Sequence, residues 1–225
     1  MGIWIIIIAI MFASWMVSMQ LKRKFKQYSE VTIGTGLSGK EIAEKMLSDN
    51  GIHDVNIISV EGQLTDHYNP TDKTVNLSHD VFYGRSAASA AIAAHECGHA
   101  VQHARAYAWL QFRSALVPVV SIGSRYVQWV LLAGVLMLHT FPSLLLIGII
   151  LFGMTTLFSI ITLPVEFDAS RRALIWLETS RTANPQETGL AKDALWWAAM
   201  TYVIAALGSL ATLAYYAMLY MGRRN

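Results

Sequence analysis

Charge is what this 225-residue chain has least of: Asp, Glu, Lys and Arg together make up 14% of it, where a soluble domain carries about a quarter. The shortage is uneven. Residues 20–113 read as ordinary soluble sequence, while residues 2–19, 115–163 and 195–221 are strongly apolar. That pattern excludes a single water-soluble globule and implies an integral membrane protein with one modest polar domain. Cysteine is almost absent as well. Cys97 stands alone, which rules out an intrachain disulfide framework and removes any sign of an oxidising compartment. The net charge of +2 is too small to suggest nucleic acid as a partner, and no basic run has the interleaved aromatics of an RNA reader. Internal repeats and low-complexity tracts are missing too.

What is present divides into spans and a polar domain. Residues 2–19 (GIWIIIIAIMFASWMVSM) are followed, not preceded, by basic residues, namely Lys22, Arg23, Lys24 and Lys26. A secretory signal has the opposite order, so the expectation is an uncleaved anchor. A second span is expected at 115–138, interrupted by Pro118 and Arg125, and a third at 143–163 after the turn His139-Thr140-Phe141-Pro142. The fourth is expected at 195–219, flanked by Trp196 and Trp197 at one end and by Tyr215, Tyr216 and Tyr220 at the other, as interfacial belts are. Arg125 is either functional or a snorkelling cation.

The expected division is therefore an anchor at 1–19, a polar domain at 20–114, two spans within 115–163, a polar segment at 164–194, and a last span with its tail at 195–225. Placing 20–114 and 164–194 in the cytoplasm puts 14 of the 17 Lys and Arg residues inside, as the positive-inside rule asks. Arg223 and Arg224 in the tail then lie outside and count slightly against that orientation.

Within the polar domain, residues 38–49 (SGKEIAEKMLSD) predict a helix that Ser38 and Glu41 cap and Asn50-Gly51 ends. Val55–Val60 and Lys73–Leu77 predict strands, with a polar cluster Thr65-Asp66-His67-Tyr68 in the loop between them. A longer helix is expected from Ser86 to Tyr107, and it carries His95-Glu96-Cys97-Gly98-His99. Helix positions i and i+4 project from one face, so His95 and His99 can bind one ion. Glu96 is placed to act as general base on water that a zinc ion activates. Cys97 points off that face, which makes it an inert residue. The small residues before the motif (Ala87, Ala88, Ala90, Ala91, Ala93, Ala94) allow close packing.

A catalytic zinc site needs a third protein ligand. Glu166 is the natural choice: it follows the third span at once, and a carboxylate there is costly unless paired or bound to a cation. Asp168 competes for the same role. Around these, His103 continues the histidine face at i+8, while His67 and Tyr68 can orient a ligand or stabilise an oxyanion, or can form a plain turn.

The run GQLTDHYNPTDKTVNLSHDVFYGRSAASAAIAAHECGHAVQ at 62–102, with LPVEFDASRRAL at 163–174, resembles the YugP-type membrane zinc metallopeptidases of bacteria. The resemblance covers nearly the whole chain and, through them, extends to the broader gluzincin proteases. It implies His95, His99 and Glu166 as zinc ligands and Glu96 as base. Together with the Lys and Arg count, the expectation is a bacterial inner-membrane, multi-pass protein whose active site faces the cytoplasm. HtpX-like gluzincins carry an aspartate four residues after the glutamate. Here Ser170 stands there, leaving Asp168 or Ser170 to orient the site. The expected fold is an α-helical membrane protein with about four transmembrane helices and a small α+β zincin-like domain. Expected partners are a peptide or protein substrate and the bilayer, and the spans are compatible with a membrane-protein partner or an oligomer. An intramembrane protease of the site-2 type is disfavoured because the motif lacks some 20 apolar residues around it. A non-catalytic zinc scaffold or chaperone-like protein is the rival from another class. Glu96 argues against it, since a structural site has no use for a base there and prefers four protein ligands.

Overall fold

The capping chemistry around residue 40 does what its pattern predicts. In the computed structural model, which describes residues 2–222 and the side chains of 4–222, Ser38 caps a helix α2 (Gly39–Asp49). Its hydroxyl accepts from the Glu41 N–H while the Glu41 carboxylate accepts from the Ser38 N–H. Gly51 takes φ +71° just past the end of this helix, a conformation glycine adopts without strain. The tail residues Arg223 and Arg224 lie outside the described residues.

The element order is α1 (Gly2–Ser29), α2, β1 (Asn56–Val60), β2 (His67–Asn69), β3 (Thr74–Ser78), α3 (His79–Phe82), α4 (Ala87–Ala104), α5 (Ala108–Leu136), α6 (Pro142–Thr179) and α7 (Pro185–Gly222). The protein is mostly helical, with one small mixed sheet in the order β1-β3-β2. β1 pairs parallel to β3, and β2 pairs antiparallel to it with Tyr68 opposite Val75. Residues His67 and Tyr68, expected in a loop, are therefore in an edge strand. Three residues that end at Asn69, just before Pro70, carry too little local signal to read as one; the pairing with β3 makes the strand.

Four helices, α1, α5, α6 and α7, are long and apolar enough to cross a bilayer. They run further than the apolar segments alone. α6 continues past residue 163 and through Pro164, a residue that removes one i→i−4 bond and usually ends a helix. The polar stretch 166–194 is accordingly two helical segments and a short turn. Its second segment begins at a capping pair, in which the Asn184 N–H donates to the Glu187 carboxylate and the Glu187 N–H donates back to Asn184 Oδ1. Pro185 occupies the first helical position, where its missing N–H costs nothing.

The chain divides into two compact units. One comprises Gln111–Leu163 together with the chain up to Met16 and from Thr201 onward. Its buried apolar cluster is small (Val127, Leu131, Leu138 and Leu145), and most of its large apolar side chains face outward, as lipid-facing residues do. The other unit, Val17–Leu110 and Pro164–Met200, has a proper core. Ile42, Ala43, Met46 and Leu47 of α2 and the inner residues of the fully buried β3 pack with α4 there. The alanines of α4 leave room for that close approach, and Cys97 Sγ sits 3.7 Å from the Ala43 carbonyl oxygen.

Candidate metal centre

The two histidines of the motif reach the same point because α4 is regular through it, and their rings meet edge to face with centroids 4.8 Å apart. The third group comes from α6. Gly98 is the reason it can come so close: a Cβ built there would lie 2.6 Å from the Ala169 carbonyl oxygen and 3.1 Å from the Ala169 Cα. The two backbones touch at that point, and Glu166 lies one turn before it on α6, as His95 does on α4. Glu166 Oε2 stands 3.4 Å from His95 Nε2 and 3.7 Å from His99 Nε2. One ligand atom from each of the three falls within 4.8 Å of the other two.

Those separations suit zinc. A tetrahedral ion with ligands at about 2.0–2.1 Å holds its ligand atoms roughly 3.3–3.4 Å apart, close to the distances from Glu166. Two imidazole nitrogens and one carboxylate oxygen also form a three-ligand set that leaves a fourth position for water or substrate. All three side chains are nearly enclosed, at 13%, 10% and 4% exposure for His95, His99 and Glu166. Burial pulls the His99 imidazole towards its neutral form, but the hydrogen bond and charge of Glu166 outweigh it, so its pKa is raised. A proton and a metal ion thus compete for the same nitrogen.

The other residues singled out from the sequence divide between this centre and elsewhere. Glu96 is buried next to His95 in the chain. Asp168, the rival third ligand, is turned to other partners: it accepts from Arg172 Nε at 2.5 Å and from Gln102 Nε2 at 2.9 Å. Ser170 Oγ lies 3.1 Å from His95 Nδ1. His103 Nδ1 lies 2.8 Å from the Tyr68 hydroxyl, which joins the last turn of α4 to the edge strand. His67 donates from Nδ1 to the Thr65 carbonyl oxygen and is exposed. Cys97 is fully buried, and burial pushes its thiol pKa up, which suppresses the reactive thiolate.

One residue was not anticipated. Gln102 is completely buried, with Oε1 3.1 Å from His99 Nδ1 and Nε2 donating to both the Val165 carbonyl oxygen at 2.8 Å and Asp168. The signal for it is an i, i+3 spacing after His99, which puts both on one helical face.

No solved structure matches the chain. A curated relative, the putative membrane protease YugP of Bacillus subtilis (strain 168), is 41% identical over 219 residues, covering 97% of this chain and 96% of that protein. The profile of the putative neutral zinc metallopeptidases matches residues 3–221. With a metal-compatible His-His-Glu cluster, four candidate spans and these matches, the chain belongs to the family of putative neutral zinc metallopeptidases, as a membrane protein.

Proposed function

We propose that this protein is a membrane-bound, zinc-dependent endopeptidase in which His95, His99 and Glu166 bind the metal and Glu96 is the general base. The observation that carries the reading is the convergence of three donor atoms within 4.8 Å, with Glu166 Oε2 at 3.4 and 3.7 Å from the two histidine nitrogens, beside a buried glutamate in the same motif. Zinc, when bound, supplies Lewis-acid polarisation of the scissile carbonyl and acidifies water to a pKa of about 7. The chain's own part is proton traffic and orientation. The Glu96 carboxylate takes a proton from the water as its oxygen bonds to the carbonyl carbon, then delivers that proton to the leaving nitrogen as the C–N bond breaks. Ser170 and Gln102 face the outer nitrogens of the two histidines, a placement that fixes ring orientation in metal sites.

In this reading residues 20–114 and 164–194 are the catalytic part, and the asymmetry of Lys and Arg supports a cytoplasmic position for it. Its substrates are peptide segments of membrane or membrane-proximal proteins. The decisive experiment compares the purified full-length protein with Glu96→Gln for zinc content and for cleavage of an unfolded test protein. Both forms are expected to carry one zinc, with cleavage lost only in the variant. Retained cleavage by Glu96→Gln removes Glu96 as base, and a wild-type protein without stoichiometric metal removes the zinc centre.

A further inference from the structure

Gln102 is the least exposed polar side chain among the described residues, at 0%. A primary amide buried without partners is costly, so its bonds carry information about what surrounds it. Its Nε2 faces the Val165 carbonyl oxygen and Asp168 Oδ2. A carbonyl can only accept, and the Asp168 carboxylate, paired with the Arg172 guanidinium, accepts as well. Both N–H bonds of the amide are thereby committed, and the end of the amide that meets His99 must be the oxygen. Oxygen accepts and cannot donate. The Nδ1 of His99, 3.1 Å away, must therefore hold a proton, which leaves a neutral His99 ring with its lone pair on Nε2, the nitrogen facing Glu166.

His95 has no equivalent instruction. Its Nδ1 meets the Ser170 hydroxyl at 3.1 Å, and a hydroxyl can turn to donate or accept. The orientation of His99 is dictated by groups with only one possible polarity; that of His95 is not.

We propose that Gln102, pinned by the Val165 carbonyl and by the Asp168–Arg172 pair, is a positioning residue that holds His99 in its Nδ1–H form so that Nε2 is available to the metal. This rests on the reading of His95, His99 and Glu166 as a zinc centre. It gives Asp168 a role without making it a ligand: the carboxylate acts on the metal through one amide and one imidazole. It also accounts for the amide at this position, since one end donates twice while the other accepts.

The test uses the full-length protein in detergent, as wild type, Gln102→Met and Gln102→Glu. Zinc affinity is measured by competition with a chromophoric chelator, and ligand geometry by the visible spectrum after Co2+ substitution. Gln102→Met fills the same space without hydrogen bonds. It is expected to bind zinc about 10–100-fold more weakly and to shift the Co2+ bands. Gln102→Glu keeps an acceptor for the His99 Nδ1–H and is expected to retain most of the affinity. A role in packing alone predicts the reverse order, because methionine is the better volume match and glutamate brings a second acid against Asp168. If Gln102→Met does not fold, Asp168→Ala probes the next link: it removes the acceptor that holds one N–H of Gln102, and a several-fold loss of zinc affinity is expected. Wild-type affinity and spectrum in Gln102→Met, an equal loss in Gln102→Glu, or no loss in Asp168→Ala overturns the proposal while the zinc centre stands. Absence of zinc from the wild-type protein overturns both.

Discussion

Helices α4 and α5 are both apolar, and they are apolar for opposite reasons. In α4, 15 of 18 residues are buried, and most of them are alanine, glycine or serine. In α5 only Val127, Leu131 and Gly134 of 29 residues are buried, while Ile122, Trp129 and Leu136 are 65%, 63% and 78% exposed. Exposure of that many large side chains to water would forgo about 1.5–3 kcal/mol each; against hydrocarbon it forgoes nothing. The small residues of α4 serve proximity instead, letting the backbones of its neighbours approach its own, as Ala169 does at Gly98. A helix that is apolar because protein surrounds it can hold His95, Glu96, His99 and Gln102 only if each polar group is answered by a neighbour. A helix that is apolar because lipid surrounds it has no such neighbours. Hence the buried polar cluster sits on α4.

One substitution, glycine to alanine, separates the two helices at different positions. Its largest effect is expected at Gly98. Alanine is the better helix former by about 1 kcal/mol, so intrinsic propensity favours the change. The added methyl, however, would meet the Ala169 carbonyl oxygen at 2.6 Å, and that oxygen belongs to helix backbone that cannot rotate aside. α4 and α6 must part where the 3.4 and 3.7 Å separations around Glu166 are set. Gly98→Ala is expected to lower zinc affinity at least tenfold and to destabilise this unit by about 1–3 kcal/mol. Cys97 provides the readout for the second effect, since its buried thiol becomes reactive to a maleimide dye only as the unit opens. An unchanged zinc affinity would show that the contact at Ala169 does not set the ligand spacing.

The comparison sharpens at Gly134, because the lipid-facing helix also has one close approach. A Cβ there would lie 2.6 Å from the Leu145 Cα and 2.7 Å from the Leu145 backbone nitrogen, so α5 and α6 touch as transmembrane helices do at small residues. Gly134→Ala is expected to cost about 1–2 kcal/mol, measured as earlier thermal loss of the monodisperse peak in detergent. Zinc affinity should stay at the wild-type value. A matching loss of zinc binding would mean that this packing defect is not confined to its own unit.

How much of this could be read beforehand follows the range of the interactions. The cap at Ser38 and Glu41 is local, and so is the shared face of His95 and His99; four consecutive residues specify the first and five the second. The capping pair Asn184 and Glu187 with Pro185 is equally local and was there to be read, yet the low hydropathy of 166–194 conceals a helix start. β2 is different: His67–Asn69 has no pattern of its own and exists through β3. The passage of α6 through Pro164 runs against the local rule, and only the surrounding packing makes it affordable. Glu166 was reachable through the cost of a carboxylate at the end of an apolar run, which is a local argument about solvation. For Gln102 the sequence offers only the shared face with His99, because Val165 and Asp168, the groups that give it meaning, lie 63 and 66 residues away.

The smallest expected effect is at Gly123, and it bears most directly on why α5 is apolar. Nothing lies within 4 Å of a Cβ built there, and its neighbours Ile122, Ser124 and Arg125 are exposed. Gly123→Ala should leave zinc affinity unchanged and alter stability by no more than about 0.5 kcal/mol, with helix propensity pushing towards stabilisation. A larger loss would mean that the α5 face at Gly123 is covered by another protein surface, a partner or a second copy, at a point where small size matters. The same helix would then be apolar for the reason α4 is. Measuring Gly123→Ala in parallel with Ile122→Ala settles which solvent that face meets. Lipid predicts little change from either, whereas a protein interface predicts a loss from both, the cavity left by isoleucine adding about 2–5 kcal/mol.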